Sequence, residues 1–221
     1  MVFFDVGDTL VERGDDPARV LRDLLGRLGV EPAPGEWADA LRAMAHAYSS
    51  GIYAPASAAG EAGLWRAMAT AGLGRLGCGA RPDLVAAVAA DLGDYPAHYR
   101  PVAGMPELVA GLRARGPVGI ISNWPPSLPR LLRATGYGDF PVVACSGSLR
   151  CAKPDPGIFR WALQKAGVRP EEAWYVGNDA ELDYVPARAL GMHAVLWDPA
   201  GRARGLPRAG AAAELGRLLA G

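Results

Sequence analysis

Four apolar or aromatic residues, Met1 to Phe4, run straight into Asp5, and Gly7 follows two positions later. A short unbroken apolar run closed by a turn residue predicts a buried strand with Asp5 at its C-terminal lip. The spacing then becomes helical. Gly14 to Pro17 predicts a turn and a helix start, with Asp16 as N-cap and Pro17 in the first turn. Val20, Leu21, Leu24, Leu25 and Leu28 recur at helical spacing up to Gly29, and a second such stretch runs from Trp37 through Leu41, Met44 and Tyr48 to Gly51. Two more predicted helices cover about Ala58 to Gly72 and Pro82 to Leu92. No β segment is predicted between the opening strand and residue 100. The Trp, Met and Tyr residues of this block read as bundle core, the lining of a substrate pocket being the alternative.

From residue 101 helix and strand alternate. A helix at Met105 to Arg115 precedes the apolar strand Pro117 to Ile121, which ends at Ser122-Asn123. Pro125, Pro126 and Pro129 surround a helix start near Ser127, and that helix runs to Thr135-Gly136. Then come a strand at Pro141 to Cys145, a loop through Lys153-Pro154, and a helix from Pro156 to Gly167 capped by Asp155. The chain continues with a strand ending at Gly177-Asn178, a helix to about Gly191, the strand His193 to Trp197, and a closing helix near Ala211 to Leu219. Five apolar strands separated by helices imply an α/β fold with a doubly wound, mostly parallel sheet. The expected organisation is a core of residues 1–13 and 99–221 carrying an inserted α-helical domain at 14–98.

Composition narrows the partners. Half of the 221 residues are hydrophobic, and 23 basic side chains balance 23 acidic ones, which gives no surface for nucleic acid or an anionic membrane. Small ligands are the expected partners. No apolar run approaches the roughly 18–20 residues of a membrane span, and Met1 leads directly into the strand, so a cytoplasmic protein is expected. Cys78, Cys145 and Cys151 form no Cys-x-x-Cys pair and read as free thiols. His46, His98 and His193 lack metal-ligand spacing.

What ends each strand is informative: Asp5, then Ser122-Asn123, then Gly177-Asn178-Asp179 with Asp183 beyond, and Lys153 in the loop after the third strand. In an open parallel sheet the ligand crevice lies outside the carboxyl ends of the strands. Read singly, Asp5 or Ser122-Asn123 could be a turn, and Lys153 an exposed loop lysine. Together, a carboxylate, a hydroxyl, an ammonium and an oxygen-rich loop make a site for an anionic group, with Asp5 placed to attack.

Four segments, Phe4-Asp5-Val6-Gly7-Asp8-Thr9-Leu10, Ile121-Ser122-Asn123, Cys151 to Phe159 with its Lys153-Pro154-Asp155-Pro156, and Val176 to Asp183, resemble in order and spacing the four motifs of the haloacid dehalogenase (HAD) superfamily. The likeness spans nearly the whole chain and is greatest to its phosphatase-like members, with the helical block resembling that superfamily's cap over a Rossmann-like core. The resemblance implies that Asp5 is a nucleophile forming an aspartyl-phosphate, that Ser122, with Asn123 beside it, contacts the phosphoryl oxygens, and that Lys153 neutralises charge. It also implies a Mg²⁺ site at Asp5, the Gly7 carbonyl and Asn178, with Asp183 in support; Asp179 reads either as a substitute ligand or as a solvated or capping side chain. Asp183 has a second reading, as N-cap of a helix containing Pro186.

Two departures from the family pattern stand out. Its phosphatases usually carry a second Asp, the general acid, where this chain has Gly7, and Asp8 is one position too late. Loss of such acid–base help typically costs about 10²–10⁴-fold. Asn178 stands where the family most often has Asp, which removes a charge from a hard-cation site. The resemblance therefore points to a hydrolase acting on a small phosphorylated substrate, slowed or narrowed by Gly7. Two alternatives are a 2-haloacid dehalogenase, for which Arg42 would be the poorly matched cap arginine, and a catalytically weak HAD-like binding protein.

Overall fold

The computed structural model describes residues 1–31, 36–52 and 60–220. Strand β1 (Val2–Phe4) is followed by the tight turn at Gly7 and Asp8 and by β2 (Val11–Arg13). Four helices come next: α1 (Pro17–Arg27), α2 (Trp37–Ile52), α3 (Gly60–Arg75) and α4 (Pro82–Gly93). The chain returns through β3 (Tyr99–Pro101) and α5 (Met105–Arg113) to β4 (Val118–Ser122), α6 (Leu128–Ala134) and β5 (Val143–Cys145). The remaining elements are α7 (Ser146–Leu149), α8 (Pro156–Ala166), β6 (Trp174–Gly177), α9 (Val185–Ala189), β7 (His193–Trp197), β8 (Arg208–Ala209) and α10 (Ala212–Leu218).

Six strands form one parallel sheet in the order β5-β4-β1-β6-β7-β8. β1 lies at its centre, with Phe3 facing Gly119 of β4 on one side and Tyr175 of β6 on the other. The winding runs outward from β1 to β4 and β5, then returns to place β6 on the opposite side. Such a reversal opens a crevice at the strand ends, and Asp5 stands there. Side chains alternate between sheet faces, so Phe3, Ile121, Tyr175 and Ala194 share a core with Ile158, Phe159 and Ala162 of α8 and Ala187 of α9.

By its internal contacts the chain divides into two units, Met1–Glu12 with Arg100–Gly221, and Arg13–Tyr99. The second has its own core, in which Trp37, Met44, Leu73, Leu84 and Val88 are buried. Trp37 and Met44 thus serve as bundle core. Helix starts follow local chemistry: Asp16 accepts from Ala18 N at 3.0 Å and Asp155 from Gly157 N at 2.7 Å, each ahead of a proline in the first turn. Such a cap contributes about 1 kcal/mol.

Several expectations are corrected. Strand β2 and the start of β3 fall in the stretch expected to hold no β segment, and they pair as a separate two-stranded sheet. Three-residue strands carry too few side chains for a periodic signal. α3 runs three residues past the expected end, at Gly72, to Arg75, and its expected start at Ala58 lies outside the described residues. Helix α7 occupies part of the segment read as loop, and β8 adds a sixth strand. Asp183 caps no helix: the turn Ala180–Tyr184 is a single π-helical turn capped by Asp179, whose carboxylate accepts from Glu181 N and Leu182 N at 2.8 and 2.9 Å. Among the described residues no helix is long and apolar enough to cross a membrane.

Candidate active site

Asp5 continues the β1 ladder by one residue, its N–H donating to Val176 O of β6 at 2.8 Å. The following turn closes at once, because Leu10 and Val11 both donate to Val6 O and Asp8 takes a left-handed conformation at φ 53°. The carboxylate is thereby fixed at the sheet edge with only 6% of the residue exposed. Ser122, the last residue of β4, donates its hydroxyl to Asp5 Oδ1 at 2.8 Å. Lys153, from the loop ahead of α8, brings its ammonium to the same oxygen at 2.7 Å. Both donors crowd onto Oδ1, and among the described residues none donates to Oδ2. One oxygen is anchored while its twin is left without a donor among the described residues.

The Lys153 ammonium also donates to Asp183 Oδ1 at 2.5 Å and to the Tyr175 hydroxyl at 3.1 Å. These three bonds match its three hydrogens. Burial works against the charged form of Lys153, but the Asp5 and Asp183 charges and their hydrogen bonds outweigh it and hold its pKa above the usual 10.5. Burial, followed by the nearby Asp5 charge, pushes the Asp183 carboxyl upward, with Lys153 opposing. Burial and the Asp183 and Asp5 charges hold the Tyr175 hydroxyl neutral, well above 10. It lies 2.9 Å from Ile121 O and 3.0 Å from Asp183 Oδ1.

Behind this cluster stands a layer of supporting contacts. Asn123 and Lys153 form a reciprocal pair, with Asn123 Nδ2 donating to Lys153 O at 2.9 Å and Lys153 N donating to Asn123 Oδ1 at 2.8 Å. The β4 loop is thereby fastened to the lysine loop. Asp183 is satisfied on both oxygens, because its Oδ2 accepts from Asp179 N at 3.0 Å. That approach requires Gly177: a Cβ there would lie 2.3 Å from Asp183 Oδ2. Asp183 therefore holds Lys153, and Asp179 spends Oδ1 on capping the π-helical turn. Asn178 is exposed, and its amide oxygen lies 3.4 Å from the Thr9 hydroxyl.

Tyr175 escaped sequence reasoning, and Trp124 reads from the sequence either as a roof over the site or as packing beneath the helical block. Tyr175 sits in an apolar strand, yet a tyrosine buried there must find a partner for its hydroxyl, and that was the readable signal. Trp124 packs its ring over Gly7, where an ideal Cβ would meet Trp124 Cζ3 at 3.2 Å. Its backbone is held by Ser146 Oγ, which accepts from Trp124 N at 3.1 Å, and by Gly147 N, which donates to Trp124 O at 3.0 Å. The indole thus stands where a side chain at position 7 would project.

Oxygen donors for a hard cation exist in kind: the Asp5 carboxylate, the Gly7 carbonyl and the Asn178 amide. One charge and two neutral oxygens make a weakly attracting set. Among the described residues no group of three or more His, Cys, Asp or Glu is arranged for a metal ion. Arg42, the residue considered for a dehalogenase, is exposed on α2 and pairs with Asp39.

Comparison with known proteins places these features in context. The family model described as haloacid dehalogenase-like hydrolase matches residues 1–191. A phosphoserine phosphatase of Thermus thermophilus is 32% identical over 222 residues, covering 90% of this chain and 88% of that protein. The rhythmically expressed gene 2 protein of Drosophila melanogaster is 36% identical over 109 residues, 44% of this chain and 41% of its own length. The chain thus spans under half the length of the first curated relatives it matches. The L-2-haloacid dehalogenase of Xanthobacter autotrophicus superposes with a TM-score of 0.72 at 20% identity, covering 99% of this chain and 97% of that one. That likeness is one of fold.

Proposed function

Because this chain belongs to the haloacid dehalogenase-like hydrolase family, we propose that it is a phosphatase in which Asp5 attacks a small phosphorylated substrate. Oδ2 of Asp5 forms a bond to phosphorus as the ester P–O bond breaks, and the electron pair leaves with the alcohol oxygen. Water then attacks the aspartyl-phosphate, releasing phosphate and restoring the carboxylate. The observation that carries this reading is the loading of Ser122 and Lys153 onto Oδ1 alone.

Lys153 and Ser122 then have a second use. As Asp5 is esterified it loses its charge, and both donors are freed to bind the phosphoryl oxygens, a charge-assisted contact stronger in the transition state than in the ground state. Asp183 and Tyr175 keep the lysine charged and aimed, and Asn123 keeps its loop in register. With no side chain at Gly7, the departing alcohol oxygen takes its proton from water, which favours leaving groups that tolerate negative charge. Asp5, the Gly7 carbonyl and Asn178 would hold Mg²⁺, and Asp179 Oδ2 is a further donor. When bound, the ion neutralises phosphoryl charge. Residues 14–98 would serve as a cap that supplies specificity.

The test is hydrolysis of p-nitrophenyl phosphate with and without Mg²⁺, by wild type and Asp5→Asn. Metal-stimulated hydrolysis that falls to background in the variant is expected, since removal of a nucleophile elsewhere costs on the order of 10⁶-fold. Metal-independent halide release from 2-chloropropionate without phosphatase activity overturns the reading in favour of a dehalogenase. Silence in both assays overturns it in favour of a binding protein.

A further inference from the structure

One buried carboxylate has no part in the chemistry above. Asp198, at the end of β7 and 8% exposed, accepts from Ala203 N at 2.7 Å through Oδ2. Its own backbone extends the tie, with Asp198 N donating to Ala209 O at 2.9 Å and Gly201 N donating to Asp198 O at 3.2 Å. The amides of Ala203 and Arg202 hold its carboxyl below the usual carboxylate range, so it stays ionised. The result is a folded-back loop, turned at Gly201 with φ 67° and fastened at its base.

That loop forms one wall of a cavity of about 490 Å³, which is also lined by Asp8 and Asn178 from the candidate active site. Of the arginines in this region, Arg208 and Arg202 spend their charges differently. Arg208 lies 3.8 Å from Asp198 and shares its charge. Arg202 lines the cavity, and among the described residues no carboxylate pairs with its guanidinium. Asp8 follows Gly7 directly in the chain, so its charge belongs to the nucleophile loop, whereas Arg202 comes from the β7 loop.

We propose that this cavity is the subsite for the non-reacting end of the substrate, and that Arg202 there binds a second anionic group, making the substrate class small phosphomonoesters that also carry a carboxylate or a second phosphate. The inference rests on the phosphatase reading. A planar guanidinium matches either anion with paired N–H donors. Arg202 is a specificity-determining residue, and Asp198 is the positioning residue that presents it.

The test compares substrates that differ in the second anion: 3-phosphoglycerate, 1,3-propanediol bisphosphate and glycerol 3-phosphate, which lacks one. Arg202→Gln should raise KM for the first, the second or both by about 10- to 100-fold, the range expected on losing a hydrogen bond to a charged group. Glycerol 3-phosphate should change less than about twofold, and Arg202→Lys should recover part of the loss. Whichever of the two anionic substrates is affected identifies the second group. An equal effect on all three substrates, or none, overturns the subsite while leaving the phosphatase reading intact. If wild type hydrolyses none of them, the phosphatase reading still stands or falls on p-nitrophenyl phosphate, and calorimetric titration with 3-phosphonopropionate decides the subsite. Binding weakened at least about tenfold by Arg202→Gln upholds it. Unchanged binding, or none at millimolar concentration, overturns it.

Discussion

The ion pairs at the strand ends and those on the helical unit both join a basic side chain to aspartate, lysine in the first and arginine in the second, under opposite solvation. Lys153, Asp5 and Asp183 meet with side chains 3, 9 and 1% exposed, and each charge depends on the others for its place. On the helical unit, Arg81 pairs with Asp83 at 2.5 Å with side chains 52 and 60% exposed, and Arg42 pairs with Asp39 in the same manner. Water already solvates those groups, so such pairs add almost nothing to stability. The buried triad is a poor device for stability, because removing three groups from water costs about what their attraction returns. Its value is positional: an ammonium satisfied by three acceptors points in one direction.

The comparison breaks first at Lys153. Lys153→Met leaves Asp5 and Asp183 without their counter-charge, and breaking a buried pair costs about 3–5 kcal/mol. Proton uptake by Asp183, whose carboxyl is already pushed upward, offsets part of this at low pH. Urea unfolding should show the destabilisation, and phosphatase activity should fall at least about 10²-fold even at temperatures where the variant is folded. A variant as stable and active as wild type would mean that the triad is incidental.

Next comes Gly7. Gly7→Asp alone should gain little phosphatase activity, because the new Cβ meets Trp124 Cζ3 at 3.2 Å and the carboxylate must displace the ring. Combined with Trp124→Ala, the same change should raise kcat on alkyl phosphates, toward the roughly 10²–10⁴-fold that a placed general acid contributes. Steady-state kinetics on the four proteins of the double-mutant cycle would show that coupling. Additive effects would show that Trp124 does not control the position.

A milder effect is expected from pH. The Lys153 pKa is raised, so the contribution of its charge is complete below the ordinary value of 10.5 and is lost only as pH rises through the higher folded value. A kcat profile should therefore show no descending limb from this group below about pH 10. Smallest of all, Arg81→Ala should leave both the midpoint of urea unfolding and the activity unchanged.

Much of the architecture was legible because strands of the parallel sheet are continuous apolar runs and helices repeat every three to four residues. Asp5, Ser122 and Lys153 could be found from their positions at strand ends or in the following loop, and the fold brings the Ser122 hydroxyl and the Lys153 ammonium each within 2.8 Å of Asp5 Oδ1. The cap at Asp179 was legible only as an alternative to metal ligation, since a Ser, Asp or Asn before any turn carries the same signal and only the backbone decides which one accepts. Nor was the division of labour between Asp183 and Asn178. Whether a carboxylate faces a lysine or a cation depends on the Gly177 approach, which is tertiary. The strands β2 and β8, three and two residues long, are set by their neighbours rather than by their own pattern. Trp124 over Gly7 is of the same kind, because no spacing rule links residues 117 positions apart.

The most direct test of the central claim is to trap the covalent intermediate. Protein mixed with p-nitrophenyl phosphate and Mg²⁺ is quenched in acid within one turnover, digested and weighed by mass spectrometry. A single phosphoryl group on the peptide bearing Asp5, absent from Asp5→Asn, is the predicted result. Steady turnover with that peptide unmodified, or with the phosphoryl group on another residue, would contradict it.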